Sequence, residues 1–296
     1  MGFWLVNPQR QAQYFAESQL DEGGFGSVWS GLTAAGLRVA IKVIKPTTNV
    51  QQDFSSWLTD QHVHLLCLGH RHIVTTFDQF ISPQGNLVIV MELGSGNLDS
   101  VIGQGIKWSD KDICAIGAQI LSALREIHSK GVIHRDVTLK NIIWFAGGVY
   151  KLCDFGISKP NVQPGEYART LVGTPSYIPP ELYMSGYVTH RSDIYQLGLV
   201  LLSLMIGRHP IPPNAPPAQI QKMILEGVPR QWAESLIPSH GVTAKILSMM
   251  LPRHDANRFQ TAAHAEAAFT AEFWRLENMK QFARCFPLLH QQLIRR

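Results

Sequence analysis

The sequence predicts an α+β chain in which strands come first and helices follow, and three observations carry that reading. Stretches of alternating or β-branched character, at 14–32, 39–42, 74–80 and 86–91, are punctuated by Gly, Pro, Ser and Asn turns, and all precede residue 93. Beyond it the pattern becomes helical, over Ser109 to Ser129 and again over Ile194 to Gly207. Between those two helices, Val132 to Phe155 places Asp136, Asn141 and Asp154 beside apolar strand-like runs. With 296 residues and 45% hydrophobic content, the chain suits one large domain or two lobes with a sizeable core.

Each element has a local reason. Residues 1–13 carry no strong pattern and are expected to form an extension or an extra strand. From Tyr14 the chain reads as strand, glycine-rich turn and strand, and the glycines there allow backbone amides to approach phosphate oxygens. Val39-Ala40-Ile41-Lys42 is a strand that carries a lysine among branched apolar residues. A helix over 51–68 would turn Phe54, Leu58, Leu65 and Leu68 inward. Ser82-Pro83-Gln84-Gly85 is a turn between two strands. Ser109 is a suitable N-cap for a helix whose apolar face is Ile113, Ile116, Ile120, Leu124 and Ile127. The run from Ile194 to Gly207 falls short of the roughly 20 residues of a membrane span and is expected to be a buried helix. His209 to Pro217 is proline-rich and expected as a surface loop. Phe269, Phe273 and Leu276 share a helical face that should dock on the larger part of the molecule.

Composition excludes several classes. Charged residues are 16% and the formal net charge is +4 without a long basic run, so no nucleic-acid partner is expected. The four cysteines show no paired metal spacing and fit a reducing, cytoplasmic setting. The N-terminus lacks the pattern of a signal peptide, and Val6 stands where an acylation signal has Ser or Thr. Histidines 62, 64, 70 and 72 do not have the i,i+4 spacing of a helical metal pair and read as solvated or capping groups.

The chemistry of the central stretch is that of phosphoryl transfer. That reaction asks for a carboxylate near the acceptor hydroxyl and hard oxygen ligands for a cation, which Asp136, Asn141 and Asp154 supply. His134-Arg135-Asp136 with Asn141 five positions on, followed by Asp154-Phe155-Gly156, resembles the catalytic and metal-binding loops of the eukaryotic-type (Hanks-type) serine/threonine protein kinases. The resemblance runs from about Leu20 to Ala268. It implies a two-lobed fold, with a small antiparallel β-rich N-lobe holding one main helix and a larger, mainly helical C-lobe. The boundaries are then an extension over 1–13, a kinase domain over 14–268 divided near residue 93, and a helical extension over 269–296.

The same resemblance implies the site. Leu20, Gly23, Gly26, Val28, Ala40 and Lys42 would surround the nucleotide, with Met91, Glu92 and Gly94 as the hinge beside adenine. Asp136 would act on the acceptor hydroxyl, Asn141 and Asp154 would hold Mg²⁺ or Mn²⁺, and Lys42 would align ATP phosphates. Gly173 to Glu181 is similar to the end of an activation segment, which implies a protein substrate with a serine or threonine acceptor rather than a small molecule. Thr174 matches the serine/threonine branch, and Thr170 is the first candidate for autophosphorylation, with Arg135 as its phosphate partner. Ser158, Tyr167 and Ser176 rank behind it. Glu181 and Arg258 would pair, and Asp193 would anchor the catalytic loop.

Three positions depart from the family pattern. Asp21 replaces the first glycine of the loop, Gln61 replaces the glutamate that pairs with the strand lysine, and Thr138 replaces the lysine two places after the aspartate, with Lys140 as a nearby substitute. These departures define the alternative reading, a pseudokinase that serves as a nucleotide-binding scaffold.

Overall fold

Alternation of apolar and polar residues along the first ninety positions builds a six-stranded antiparallel sheet. The computed structural model describes residues 2–23, 26–45, 69–155 and 174–285. The strands are β1 (Phe3–Val6), β2 (Gln13–Gly23), β3 (Gly26–Thr33), β4 (Arg38–Ile44), β5 (Thr76–Ile81) and β6 (Leu87–Glu92), in the spatial order β1-β2-β3-β4-β6-β5. One face buries Leu5, Tyr14, Ala16, Val39, Ile41, Val43, Phe80, Val88 and Val90 as a single cluster. The stretch before Tyr14 is therefore an added edge strand. Beyond it, Asn7 and Arg10 reach the buried Asp78 of β5: Asn7 Nδ2 donates to Asp78 Oδ2 at 2.8 Å, Tyr14 Oη donates to the same oxygen at 2.7 Å, and an Arg10 nitrogen lies 3.6 Å from Oδ1. The main small-lobe helix expected over 51–68 lies outside the described residues.

A two-residue strand β7 (Gly96–Asn97) joins β8 (Ile142–Phe145) and β9 (Val149–Leu152) in a second sheet. Residues 72–74 run beside β9. Leu152 N donates to His72 O and Val74 N donates to Leu152 O, each at 2.9 Å, so the small lobe is stitched to the strand that leads into Asp154.

The larger lobe is helical. α1 (Asp110–Ser129) starts where expected, because Ser109 and Asp112 form a reciprocal capping box. It is followed by α2 (Pro180–Ser185), α3 (His190–Ile206), α4 (Pro217–Leu225), α5 (Val228–Ser235), α6 (Ile237–Met250) and α7 (Ala262–Cys285). Of α3, the stretch from Ser192 to Leu204 is buried throughout, and the helix ends at Gly207 in a left-handed conformation that favours glycine. α7 runs without a break across residue 268 and lies along α1. Gly117 makes the close approach possible, since a Cβ there would sit 3.0 Å from the Phe269 ring. Phe273 and Leu276 pack against the same core, Lys111 pairs with Glu277, and Arg125 lies 2.9 Å from Glu266.

One expectation needs correction. The proline-rich stretch from His209 to Pro217 is not wholly a surface loop: Pro210 and Ile211 are buried, Ile211 packs with Ile220 and Ile224, and Pro217 already begins α4. An apolar residue inside a proline-rich loop served as the anchor, and proline at the first helical position suits a helix start.

Candidate active site

The geometry of the site starts with Asp193, a carboxylate with no solvent exposure near the start of apolar α3. A buried charge needs donors, and it has three. Oδ1 accepts from Arg135 N at 2.8 Å, and Oδ2 accepts from His134 N at 2.9 Å and from His128 Nε2 at 2.8 Å. Burial pushes its carboxyl up, but the His128 hydrogen bond and charge, His134 and the Arg135 N–H outweigh it and hold the group below the ordinary value. Arg135 has φ 73°, a left-handed conformation costly for a residue with a Cβ, and the Asp193 bonds keep the backbone there.

Asp136 is thus presented from a pinned loop. Its carboxylate is oriented at both oxygens: Asn141 Nδ2 donates to Oδ2 at 2.9 Å, and Thr174 Oγ1 lies 3.4 Å from Oδ1. Asn141 Nδ2 also donates to Asp136 O, which leaves the amide oxygen of Asn141 to accept a cation. Burial raises the Asp136 carboxyl above the ordinary range. His134 opposes that shift, Asp154 adds to it, and the bonds from Asn141 and Thr174 moderate it.

The second carboxylate arrives from β9. Asp154 has φ 64°, and Lys42 Nζ on β4 lies 2.7 Å from its Oδ1, so the strand lysine and the expected metal ligand meet across the two lobes. The fully buried His134 bridges the two loops. Its Nδ1 accepts from Asp136 N at 3.3 Å, which makes Nε2 the donor to Cys153 O at 3.1 Å, while Phe155 stands edge-on at 5.0 Å.

Other expected positions fall as follows. Met91 and Glu92 end β6, and Ala40 is paired with Met91 on the neighbouring strand. Gly94 presses on β8, where a Cβ would run into Ile143. Gly26 has φ 128°, and a Cβ there would run into the Val43 carbonyl, so position 26 at the start of β3 tolerates only glycine. Gly23 ends β2, and Leu20 is 54% exposed. Asp21 is an exposed β2 residue paired with Val28, and its side chain accepts from Glu22 N. Thr138 is buried and its carbonyl accepts from Asn141 N, whereas Lys140 is exposed. Glu181 and Arg258 form a buried two-pronged pair at 2.9 and 2.7 Å. Gln61, Ser158, Tyr167 and Thr170 lie outside the described residues.

Two contributions were not read from the sequence. His128, near the end of α1, donates to Asp193; the signal was a histidine in the last turn of a helix that delivers the chain to Asp136. Glu92 was expected as a hinge residue beside adenine, and its side chain also accepts from Thr75 N at 2.7 Å and from Lys151 Nζ at 2.7 and 2.8 Å.

Among the described residues no three His, Cys, Asp or Glu side chains gather into a metal cage. One carboxylate and one amide oxygen are donor types that would suit a hard cation.

Comparison with known proteins identifies the family. A model of the protein kinase domain matches residues 14–269. The serine/threonine-protein kinase TIO of Arabidopsis thaliana is 30% identical over 216 residues, which is 73% of this chain and 16% of that protein. The receptor-like serine/threonine-protein kinase ALE2 of the same plant is 31% identical over 209 residues, 69% of this chain and 27% of that protein. The probable serine/threonine-protein kinase PBL8, also from A. thaliana, is 28% identical over 272 residues, 88% of this chain and 63% of that protein. The chain thus spans only part of the length of the curated relatives it matches. It carries a protein kinase domain and belongs to the serine/threonine kinase family.

Proposed function

We propose that this chain transfers the γ-phosphoryl group of Mg-ATP to serine or threonine hydroxyls of protein substrates. The observation that carries this reading is that Asn141 meets Asp136, Lys42 meets Asp154 across the two lobes, and the Asp154 charge acts on Asp136. Mg-ATP supplies the transferable phosphoryl group and a cation that neutralises its charge. The chain's own residues do the rest. Asn141 and Asp154 offer the two oxygen ligands, and Mn²⁺ suits the same pair. Lys42, held by Asp154, is the cation for the nucleotide phosphates, and Lys140, exposed beside the loop, is a second one for the γ-phosphate. The acceptor hydroxyl gives its proton to Asp136 as its oxygen bonds to phosphorus and the bond to ADP breaks. Leu20, Gly23, Gly26, Val28, Ala40, Met91, Glu92 and Gly94 line the nucleotide side.

The catalytic unit is assigned to 14–268, with 1–13 and 269–296 as extensions. We assign a cytoplasmic placement, in keeping with four cysteines scattered along the sequence without paired spacing. Among the described residues no helix is long and apolar enough to cross a membrane. Thr170 is assigned as an autophosphorylation site, with Arg135 as the partner of its phosphate.

The test is transfer of labelled phosphate from Mg-ATP to the protein itself and to a basic protein substrate, beside Asp136→Asn, with sites mapped by mass spectrometry. Label that disappears in the variant is expected. A protein that binds Mg-ATP normally yet labels nothing would overturn the reading in favour of a scaffold.

A further inference from the structure

The chain carries, one turn beyond Asp193, a polar side chain that neither the family resemblance nor the catalytic set accounts for. Gln196 is 3% exposed in the apolar body of α3, where a glutamine amide must find partners for both of its ends. Its Oε1 accepts from Val137 N at 3.0 Å. Its Nε2 donates to Arg135 O at 2.9 Å and to Tyr177 O at 3.3 Å. The first two partners belong to the two peptide units on either side of Asp136. The third belongs to the segment that carries Thr174, whose hydroxyl meets the other oxygen of Asp136.

We propose that Gln196 is a positioning residue that fixes the rotation of Asp136 and locks it to the segment around Tyr177. The inference rests on the kinase reading for its kinetic consequence and on geometry alone for the clamp. Asp193 holds the loop at His134 and Arg135, upstream of Asp136. Gln196 holds both flanks, so the two peptide planes that set the direction of the Asp136 side chain cannot rotate independently. A methyl-sized or hydroxyl side chain on α3 would not span the three partners. The Tyr177 bond adds coupling, because a displacement of the 174–178 segment pulls on the same amide that holds Arg135 O.

The experiment uses the full chain with Gln196→Met, which keeps the volume and removes all three bonds, and Gln196→Glu, which keeps the acceptor for Val137 N and removes both N–H donors. Mg-ADP affinity, steady-state kinetics with a basic serine/threonine peptide, and amide hydrogen exchange are measured on each. For the Met variant we expect kcat to fall roughly 10- to 100-fold, the scale of a small misplacement of a reacting group. Nucleotide affinity should stay within about twofold, the scale of a contact outside the nucleotide site. Exchange should accelerate together in peptides covering 132–141 and 174–178 and remain unchanged in β2 to β4. The Glu variant should keep slow exchange at Val137 while losing it near Tyr177, with a raised peptide KM. A folded Met variant with wild-type kcat, or exchange that rises in neither stretch, overturns the clamp. Should the Met variant fail to fold, the Glu variant decides by the same split. Should the wild type transfer no phosphate, the kinase reading fails on its own, and the paired exchange response alone supports or overturns the clamp.

Discussion

Asp136 is asked to be ionised in a place that disfavours ionisation. Burial and the neighbouring Asp154 charge raise its carboxyl, so its folded value lies above the unfolded one. Such a carboxylate stabilises the fold below the unfolded value, through its protonated form, and that contribution is lost as pH rises through the folded value. Two outcomes follow at neutral pH. Asp136→Asn should lower phosphate transfer by roughly 10²- to 10⁴-fold, the scale of a lost general base. The same variant should raise the melting temperature, because the amide accepts from Asn141 without a buried charge. The melting gain should shrink in acid, where the native carboxyl is protonated as well. The acid limb of kcat/KM should lie above the ordinary aspartate range of about 3.9. Thermal melts and pH-rate profiles read each of these, and a destabilised Asn variant would contradict the account. Asp193 predicts the opposite sign. Its carboxyl is held low and satisfies three donors, so Asp193→Ala should cost about 3–5 kcal/mol, measured by denaturant unfolding.

At the scale of elements, what was legible in the sequence was what is encoded locally. The N-cap Ser109 of α1 stands beside the apolar-periodic run it caps, and the turn between β5 and β6 is four consecutive residues, so pattern reading reached both, though not the reciprocal bond of Asp112. Asp193, Glu181 and Arg258 were reachable through the motif resemblance alone, because their partners stand tens of residues away. Gln196 and His128 had neither a local pattern nor a motif. Their one signal was chemical: a polar residue where the helical pattern is apolar or where a helix delivers the chain to a loop. The pair Glu181–Arg258 gives a measurable consequence. The side chains are 4% and 0% exposed, so Arg258→Leu alone strands a buried carboxylate and should cost about 3–5 kcal/mol. Adding Glu181→Leu should recover much of that loss, and a double-mutant cycle by denaturant melts checks it. The α1–α7 seam tests packing instead. Gly117→Val would push Phe269 off α1 and should cost roughly 1–3 kcal/mol, without altering Mg-ADP affinity in a calorimetric titration.

For the molecule as a whole, the histidines of the larger lobe set how it responds to acid. Burial lowers His190 to about 4, with the stacked His128 at 4.4 Å and Arg191 pushing the same way and Asp193 opposing. Burial also lowers His209 to about 4, against the hydrogen bond that its Nδ1 donates to Ile211 O. The Nε2 atoms of both have no hydrogen-bond partner among the described residues, so a proton added there would be a buried charge without an acceptor. The unfolded chain takes up those protons near the ordinary value of about 6.5, whereas the folded chain refuses them until about 4. The stability these groups contribute is therefore complete above about 6.5 and is lost as pH falls toward about 4. Melting temperature should be nearly level from pH 8 to 6.5 and then decline by several degrees through pH 5. His190→Gln, which cannot titrate, should make that decline shallower. A decline unchanged in His190→Gln would mean that acid enters the molecule elsewhere, with His70 and His72, both lowered mainly by burial, the next groups to examine.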